Sequence, residues 1–220
     1  MLDISIIIPT LNAAASLPAT VASLGTVAEV VVVDGGSRDG TADVATALGG
    51  RVLVAPCGRG SQLAAGAAAA NRPWLLLLHA DTRLQSGWHD AAARFMAGGH
   101  HRAAYFRFAL DSLDPRARTL ERLVVWRCRA LALPYGDQGL LVHRALLARI
   151  GGIKAMPLME DVDLVRRLGR QRLVSLDVAA VTSAAKWERD GWYRRSARNL
   201  LCLSLYFAGV PAHTIARLYR

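Results

Sequence analysis

The chain lacks any apolar run of the roughly 18 residues that a membrane-crossing helix needs, and it opens on the apolar stretch Ile4–Ile8 with no basic segment before it, which argues against a secretory leader. Cysteine is scarce. Cys57, Cys128 and Cys202 are odd in number and far apart. That spacing excludes a disulfide framework and a Cys-x-x-Cys metal or redox pair, and it leads us to expect a cytoplasmic protein. No Gly-x-Gly-x-x-Gly follows the first apolar run, where Pro9-Thr10-Leu11-Asn12 stands instead, and no P-loop pattern occurs. A dinucleotide-binding turn and P-loop hydrolysis are therefore excluded. Acidic residues are also few, 17 against 27 Lys and Arg, for a net charge of +10. Such a charge suits nucleic acid, an anionic membrane surface or a polyanionic small substrate. No nucleic-acid recognition motif accompanies it, so nucleic acid is not expected as a partner.

What is present is a globular composition, 53% hydrophobic over 220 residues, enough for one substantial core. Ile4–Ile8, Val30–Val33, Val52–Val54 and Leu75–Leu78 are apolar throughout, with helix-like stretches at Ala13–Leu24, Thr41–Leu48, Ser61–Ala70 and Gly87–Met96 around them. Strands without polar alternation are covered on both faces, so the expected fold class is α/β, a mostly parallel central sheet flanked by helices. A strand over Ala104–Leu110, a long helix over Pro115–Leu131, a short strand over Gln138–Val142, a helix over Asp161–Leu168 and a strand over Leu173–Leu176 follow. A helical region runs from about Trp192 to Leu218, broken at Pro211. One domain is expected, with a nucleotide-binding half over 1–110, an acceptor-side half over 111–185 and a basic helical segment over 186–220. That last segment carries seven basic residues against Glu188 and Asp190. Trp192, Tyr193, Arg194, Arg195 and Arg198 mixed with Leu200, Leu201, Leu203 and Leu205 read either as a helix packed on the core or as a basic amphipathic helix at the inner face of a cell membrane.

Open α/β sheets bind ligands beyond the carboxyl ends of their strands. In this chain those ends carry Pro9-Thr10-Leu11-Asn12, Asp34-Gly35-Gly36-Ser37-Arg38-Asp39-Gly40-Thr41, Gly58-Arg59-Gly60 and His79-Ala80-Asp81-Thr82. Structural turns alone do not require Asp34, Arg59 and Asp81 together. Each has a plainer reading as well: Asp34 and Asp39 as helix caps, Asp81 as a strand-end turn, and Glu160-Asp161 as acids opposing a helix dipole. Asp163 reads as a solvated helix charge.

Those segments, with Ser5-Ile6-Ile7-Ile8 before Pro9 and Glu160-Asp161-Val162-Asp163-Leu164 later, resemble family 2 glycosyltransferases in order and spacing over about residues 3–170. Gly58-Arg59-Gly60-Ser61-Gln62-Leu63 and Tyr135-Gly136-Asp137-Gln138-Gly139 resemble a compact bacterial subgroup, the radical-SAM/selenodomain-associated transferase 2 family. The resemblance implies a GT-A fold and an inverting transfer of sugar from a nucleotide-diphosphate sugar, with UDP the expected carrier, to an acceptor that is unidentified, with a lipid-linked one in view. It implies that Pro9, Thr10 and Asn12 line the base and ribose pocket, that Asp34 accepts from the base, and that Arg59 lies near the nucleotide. Asp81 then holds Mg²⁺ or Mn²⁺ against the diphosphate, and Asp161 is the general base. Glu160, Asp137, Gln138, Lys186 and Trp187 become candidates for acceptor or phosphate contact.

The chemistry suits these residue types. A departing diphosphate gathers negative charge, which a hard cation on oxygen ligands stabilises, and a second carboxylate can take the acceptor hydroxyl's proton. The sequence departs from the family pattern at three places. His79 stands where a first Asp of Asp-x-Asp is often found, which makes it a second candidate metal ligand. Gly35 replaces a frequent second Asp, and Thr182-Ser183-Ala184-Ala185-Lys186-Trp187 stands where a metal-ligating His is often found, with Lys186 or a hydroxyl there as a phosphate contact instead. The alternatives are a non-catalytic sugar-nucleotide or membrane-binding module and a nucleotidyltransferase-like enzyme. The latter usually needs a glycine- and arginine-rich loop in place of Pro9-Thr10-Leu11-Asn12.

Overall fold

A computed structural model describes residues 1–219. The strands are β1 (Leu2–Thr10), β2 (Val27–Asp34), β3 (Arg51–Val54), β4 (Trp74–Leu77), β5 (Thr82–Leu84), β6 (Ala103–Leu110), β7 (Leu140–His143) and β8 (Leu173–Thr182). The helices are α1 (Leu17–Leu24), α2 (Thr41–Ala47), α3 (Arg59–Ala69), α4 (Trp88–Ala97), α5 (Pro115–Leu131), α6 (Arg144–Arg149), α7 (Glu160–Leu168), α8 (Ala185–Asp190), α9 (Trp192–Phe207) and α10 (Ala212–Tyr219). All eight strands join one sheet in the order β3-β2-β1-β4-β7-β6-β8-β5. Its first four strands are parallel. Strand β7 runs antiparallel to β4 and β6, β8 runs parallel to β6, and β5 closes the edge antiparallel to β8. The sheet is therefore parallel through the first half and mixed through the second.

The apolar strand runs are covered on both sides, with a period of two. Ile4, Ile6, Ile8, Val32, Leu76 and Leu78 face Leu17 and Leu24 of α1 and Trp88, Ala92 and Phe95 of α4. Ile7, Val31, Val33, Leu75 and Leu77 face Leu63 of α3, Leu146 and Leu147 of α6, and Leu164 and Leu168 of α7. Each such fully buried aliphatic side chain contributes about 2–3 kcal/mol from apolar area alone. Helix α3 lies close on the sheet because Gly66 has no side chain there. A Cβ at this position would collide with Ile7 Cγ2 and stand 2.9 Å from Val33 Cγ2.

The expected helix over Pro115–Leu131 forms as α5, with Pro115 in its first turn and the Asp114 carboxylate accepting from Arg116 N at 2.8 Å. Its Ala117, Val124 and Cys128 pack with Tyr105 and Phe108 of β6, Trp187 of α8 and Trp192 of α9. Further along α9, Cys202 and Leu203 join Ile215 of α10 against Met159, Val162 and Val165 around α7. The C-terminal region thus folds back over the second half of the sheet. Trp192, Cys202 and Leu203 turn inward, while Tyr193, Leu200, Leu201 and Phe207 remain exposed. Among the described residues no helix is long and apolar enough to cross a membrane.

Three expectations are corrected. The strand expected over Gln138–Val142 begins only at Leu140, because Gly136–Gln138 winds into a 3-10 turn. Strand β8 is ten residues long, and Asp163 is buried between Lys154 Nζ at 2.8 Å and Arg167 Nε at 2.7 Å instead of solvated.

Candidate active site

The loops after β1 and β2 are sewn into one unit. Asn12 N donates to Ser37 Oγ at 2.8 Å, and Asn12 Oδ1 accepts from Arg38 N at 2.9 Å. Asp39 accepts from Ala14 N at 3.0 Å and from Thr41 N, at the start of α2, at 3.1 Å. Asn12 holds φ at 51°, a left-handed conformation that a non-glycine residue adopts only where its surroundings enforce it. The Asp34 side chain is central to this unit. Its oxygens accept from Gly36 N (2.9 Å), Ser37 N (2.8 Å), Ser37 Oγ (2.5 Å) and Thr10 Oγ1 (3.0 Å). Burial would raise its pKa, yet these donors hold it below the ordinary aspartate value. Those four contacts make Asp34 the brace of its own loop. Thr10 and Pro9 are buried in the end of β1, so Asn12 and the 35–38 backbone form the exposed rim.

Gln62, one turn into α3, was missed from sequence. It is 3% exposed, and its Nε2 donates to Thr10 O and Val33 O at 2.7 Å each. A buried glutamine one turn after Gly58-Arg59-Gly60 was the available signal.

A second cluster surrounds a cavity between the mixed half of the sheet and the C-terminal helices. Arg59, His79, Asp81, Asp137, Asp161, Lys186 and Trp187 all line it, which brings together most of the sequence candidates. None of Pro9, Thr10, Asn12 and Asp34 does, so they belong to the separate loop unit. Asp161 opens α7. Its Oδ2 accepts from Gly136 N and its Oδ1 from Val162 N, both at 2.8 Å. Burial works against its ionisation, but Arg59, whose Nη2 lies 3.9 Å away, and those two amides keep its pKa low. Met159, just before α7, has a φ of 65°, so the helix entry that presents Asp161 is itself a strained turn. Gly136 must be small here, since a Cβ would stand 2.6 Å from His79 Nε2 and 3.4 Å from Asp161 Oδ2.

Glu160 is 2% exposed beneath Arg59. Arg59 Nε lies 2.6 Å from its Oε1 without hydrogen-bond alignment, and neither carboxylate oxygen has another partner. Burial lifts the Glu160 pKa, against the pull of Arg59. Glu160 therefore anchors Arg59 and does not face the cavity. His79 Nε2 lies 3.4 Å from Arg59 Nη1. Burial and that guanidinium lower its pKa to about 4, so it is a neutral imidazole at pH 7. The Arg59 guanidinium thus stands against the His79 ring at the cavity wall.

Asp81 sits in the turn between β4 and β5, its Oδ2 3.0 Å from Lys186 Nζ. Burial opposes its charge, and Lys186 and His79 restore it, leaving the pKa below the ordinary value. Among the described residues no three His, Cys, Asp or Glu side chains cluster to hold a metal. A cation held mainly by diphosphate oxygens and waters needs only one or two carboxylates, and Asp81 fits that requirement. Asp137 is half-buried with Oδ1 sealed and unpartnered, and burial lifts its carboxyl to about 6. Thr82 Oγ1 and Thr182 Oγ1 are 2.8 Å apart, and Thr182 Oγ1 donates to Asp137 O at 3.1 Å, which ties the 3-10 turn to β8 and the edge strand β5. Gln138 does not line the cavity, and its Nε2 donates to Phe106 O at 3.0 Å while its Oε1 accepts from Tyr135 N at 3.2 Å.

One sheet, parallel through its first half and mixed through its second, flanked by helices and closed by a helical C-terminus, defines a glycosyltransferase fold of the GT-A type. The chain belongs to glycosyl transferase family 2, whose model matches residues 5–155. An uncharacterized glycosyltransferase of Mycobacterium tuberculosis is 38% identical over 38% of this chain and 39% of its own length. A PGL/p-HBAD biosynthesis glycosyltransferase of the same species is 40% identical over 42% of this chain and 40% of its own. The chain thus spans about two fifths of the curated relatives it matches. Among solved structures, glucosyl-3-phosphoglycerate synthase from M. tuberculosis, crystallised with Mn²⁺ and UDP-glucose, superposes with a TM-score of 0.63 at 19% identity, covering 94% of this chain and 79% of that one. S. aureus TarS 1-349 with UDP-GlcNAc gives 0.66 at 17%, covering 83% and 58%.

Proposed function

We propose that this chain transfers a glycosyl group from a nucleotide-diphosphate sugar, UDP-linked as in those two complexes, to an acceptor hydroxyl with inversion at the anomeric carbon. The observation that carries the reading is the placement of Asp161. It is an ionised carboxylate fixed by two backbone amides, lining the same cavity as Asp81, Arg59 and Lys186. In the proposed step Asp161 accepts the acceptor's proton as the new C–O bond forms and the bond to the diphosphate breaks. Arg59 stays charged beside it and keeps it ionised, while Lys186 supplies positive charge next to Asp81, where the leaving diphosphate lies. Asp81 would hold a divalent cation, which when bound supplies Lewis-acid stabilisation of that leaving group. Asn12 and the 35–38 backbone hold the nucleoside, braced from below by Asp34 and Gln62.

Calorimetry with UDP and UDP-sugars, with and without Mn²⁺, tests the reading. Metal should tighten binding to the wild type, and Asp81→Ala should remove that increment. Equal affinities with and without metal defeat the role given to Asp81. The exposed Tyr193, Leu200, Leu201 and Phe207 beside Arg194 favour a site at an anionic membrane surface on the cytoplasmic side, where a lipid-linked acceptor would be met.

A further inference from the structure

Three cations line the cavity that holds Asp81 and Asp161: Arg59, Lys186 and Arg195. Arg195 reaches it with Asn199 and Tyr219 from α9 and α10, and its Nη1 is held by Asp190 at 2.8 Å. Arg59 lies against Glu160 at 2.6 Å. Neither Asp190 nor Glu160 lines the cavity. Lys186 differs, because the carboxylate it pairs with, Asp81 at 3.0 Å, lines the cavity itself. The Lys186 side chain is 52% exposed and that of Asp81 19%, so the pair is open to an incoming ligand.

The backbone builds this pairing. Thr82 of β5 stands opposite Thr182 of β8, and just beyond them Ser183 N donates to Asp81 O at 3.0 Å. The start of α8 is fixed by Ala184 N, which donates to Asp111 Oδ1 at 2.6 Å, and by Trp187, which packs with Phe108. Lys186 is therefore held at its backbone, while its four-carbon stem keeps its freedom. From that position the ammonium can serve Asp81 or an anion laid beside it. Asp81 is also the carboxylate that fits a divalent cation held mainly by diphosphate oxygens. A metal and an ammonium on one carboxylate repel each other, and the divalent charge doubles the repulsion.

We infer that Lys186 is a resident cation of the diphosphate site and competes with the divalent metal for Asp81. Without metal, its ammonium neutralises Asp81 and meets the diphosphate. Metal enters by displacing that ammonium from the carboxylate, so the gain that metal brings is set by what the lysine already supplies. The chain thereby holds a nucleoside diphosphate under both conditions, and the dependence on metal is graded by one side chain.

This inference rests on the glycosyl-transfer reading, and the test separates the two. UDP binding to the full chain is measured by calorimetry with and without Mn²⁺, for the wild type and for Lys186→Met, which keeps an apolar stem and removes the charge. The wild type should bind UDP without metal and gain a few-fold from Mn²⁺. Lys186→Met should bind UDP about tenfold more weakly without metal, because the bare Asp81 carboxylate then faces the diphosphate. Its gain from Mn²⁺ should exceed that of the wild type by about tenfold, since no ammonium has to be displaced. Absence of UDP binding by the wild type under both conditions overturns the parent reading. With UDP bound, any of three results overturns the competition: an equal gain from Mn²⁺ in the two proteins, a gain lost in the variant, or metal-free binding unchanged by the substitution. If Lys186→Met does not fold, Lys186→Gln, equally uncharged, decides by the same criteria.

Discussion

Replacing Asp137 by asparagine should make the protein more stable at neutral pH. Burial lifts this carboxyl from about 3.8 to about 6, and its Oδ1 has no partner. The folded chain therefore binds the proton more tightly than the unfolded chain does. Stability is lost as pH rises from about 4 through about 6, and the full cost stands above that range. A displacement of about two pKa units corresponds to roughly 3 kcal/mol at about 1.4 kcal/mol per unit. Because the side chain is only half-buried, solvent screening reduces this to about 1–2 kcal/mol. For a chain of this size that is a rise in melting temperature of roughly 3–6 °C. Thermal unfolding followed by circular dichroism at pH 8 and pH 5 measures it, and the advantage of Asp137→Asn should shrink by about half at pH 5. A variant no more stable than the wild type at pH 8, or an advantage that does not change with pH, would refute the reasoning.

Arg59→Ala leaves the buried Glu160 carboxylate without its cation, and with Arg59 37% exposed the expected cost is about 1–3 kcal/mol by urea denaturation. Adding Glu160→Gln should recover a large part of that loss, whereas strictly additive costs would show that the two side chains do not depend on each other. Vesicles containing an anionic phospholipid should sediment the protein at low salt, and Leu200→Ser with Leu201→Ser should abolish it. Binding unaffected by the pair would remove α9 from any membrane contact.

Much of the parallel half of the sheet could be read from the sequence, because β1, β2 and β4 are apolar runs with buried cores and each ends in a polar loop, whereas β3, equally apolar in sequence, lies at the sheet edge with Val54 exposed. The same logic located Asp81, which stands in the turn after β4, while Asp161, at the start of α7, came only from the family resemblance. Asp34 shows where the logic stops. A strand-end carboxylate was correctly placed, but whether it faces a ligand or braces its own loop depended on Ser37, two loop amides and Thr10, a set that exists only once the loops fold together. The surroundings of His79 and Gln138 were hidden for the same reason, since Arg59 and Phe106 reach them from other elements. The contributions of Arg195, Asn199 and Tyr219 were hidden more deeply. They occupy an ordinary amphipathic helical pattern, and only the return of α9 and α10 across α7 brings them to the cavity.

The central claim is that Asp161 performs chemistry and does not merely bind. The most direct test is release of UDP from a UDP-hexose with Mn²⁺, followed over hours for the wild type and Asp161→Asn, with UDP affinity measured on both. The account predicts turnover by the wild type, a fall of at least about a hundredfold in the variant, and closely similar UDP affinities. Turnover by Asp161→Asn at the wild-type rate would contradict it.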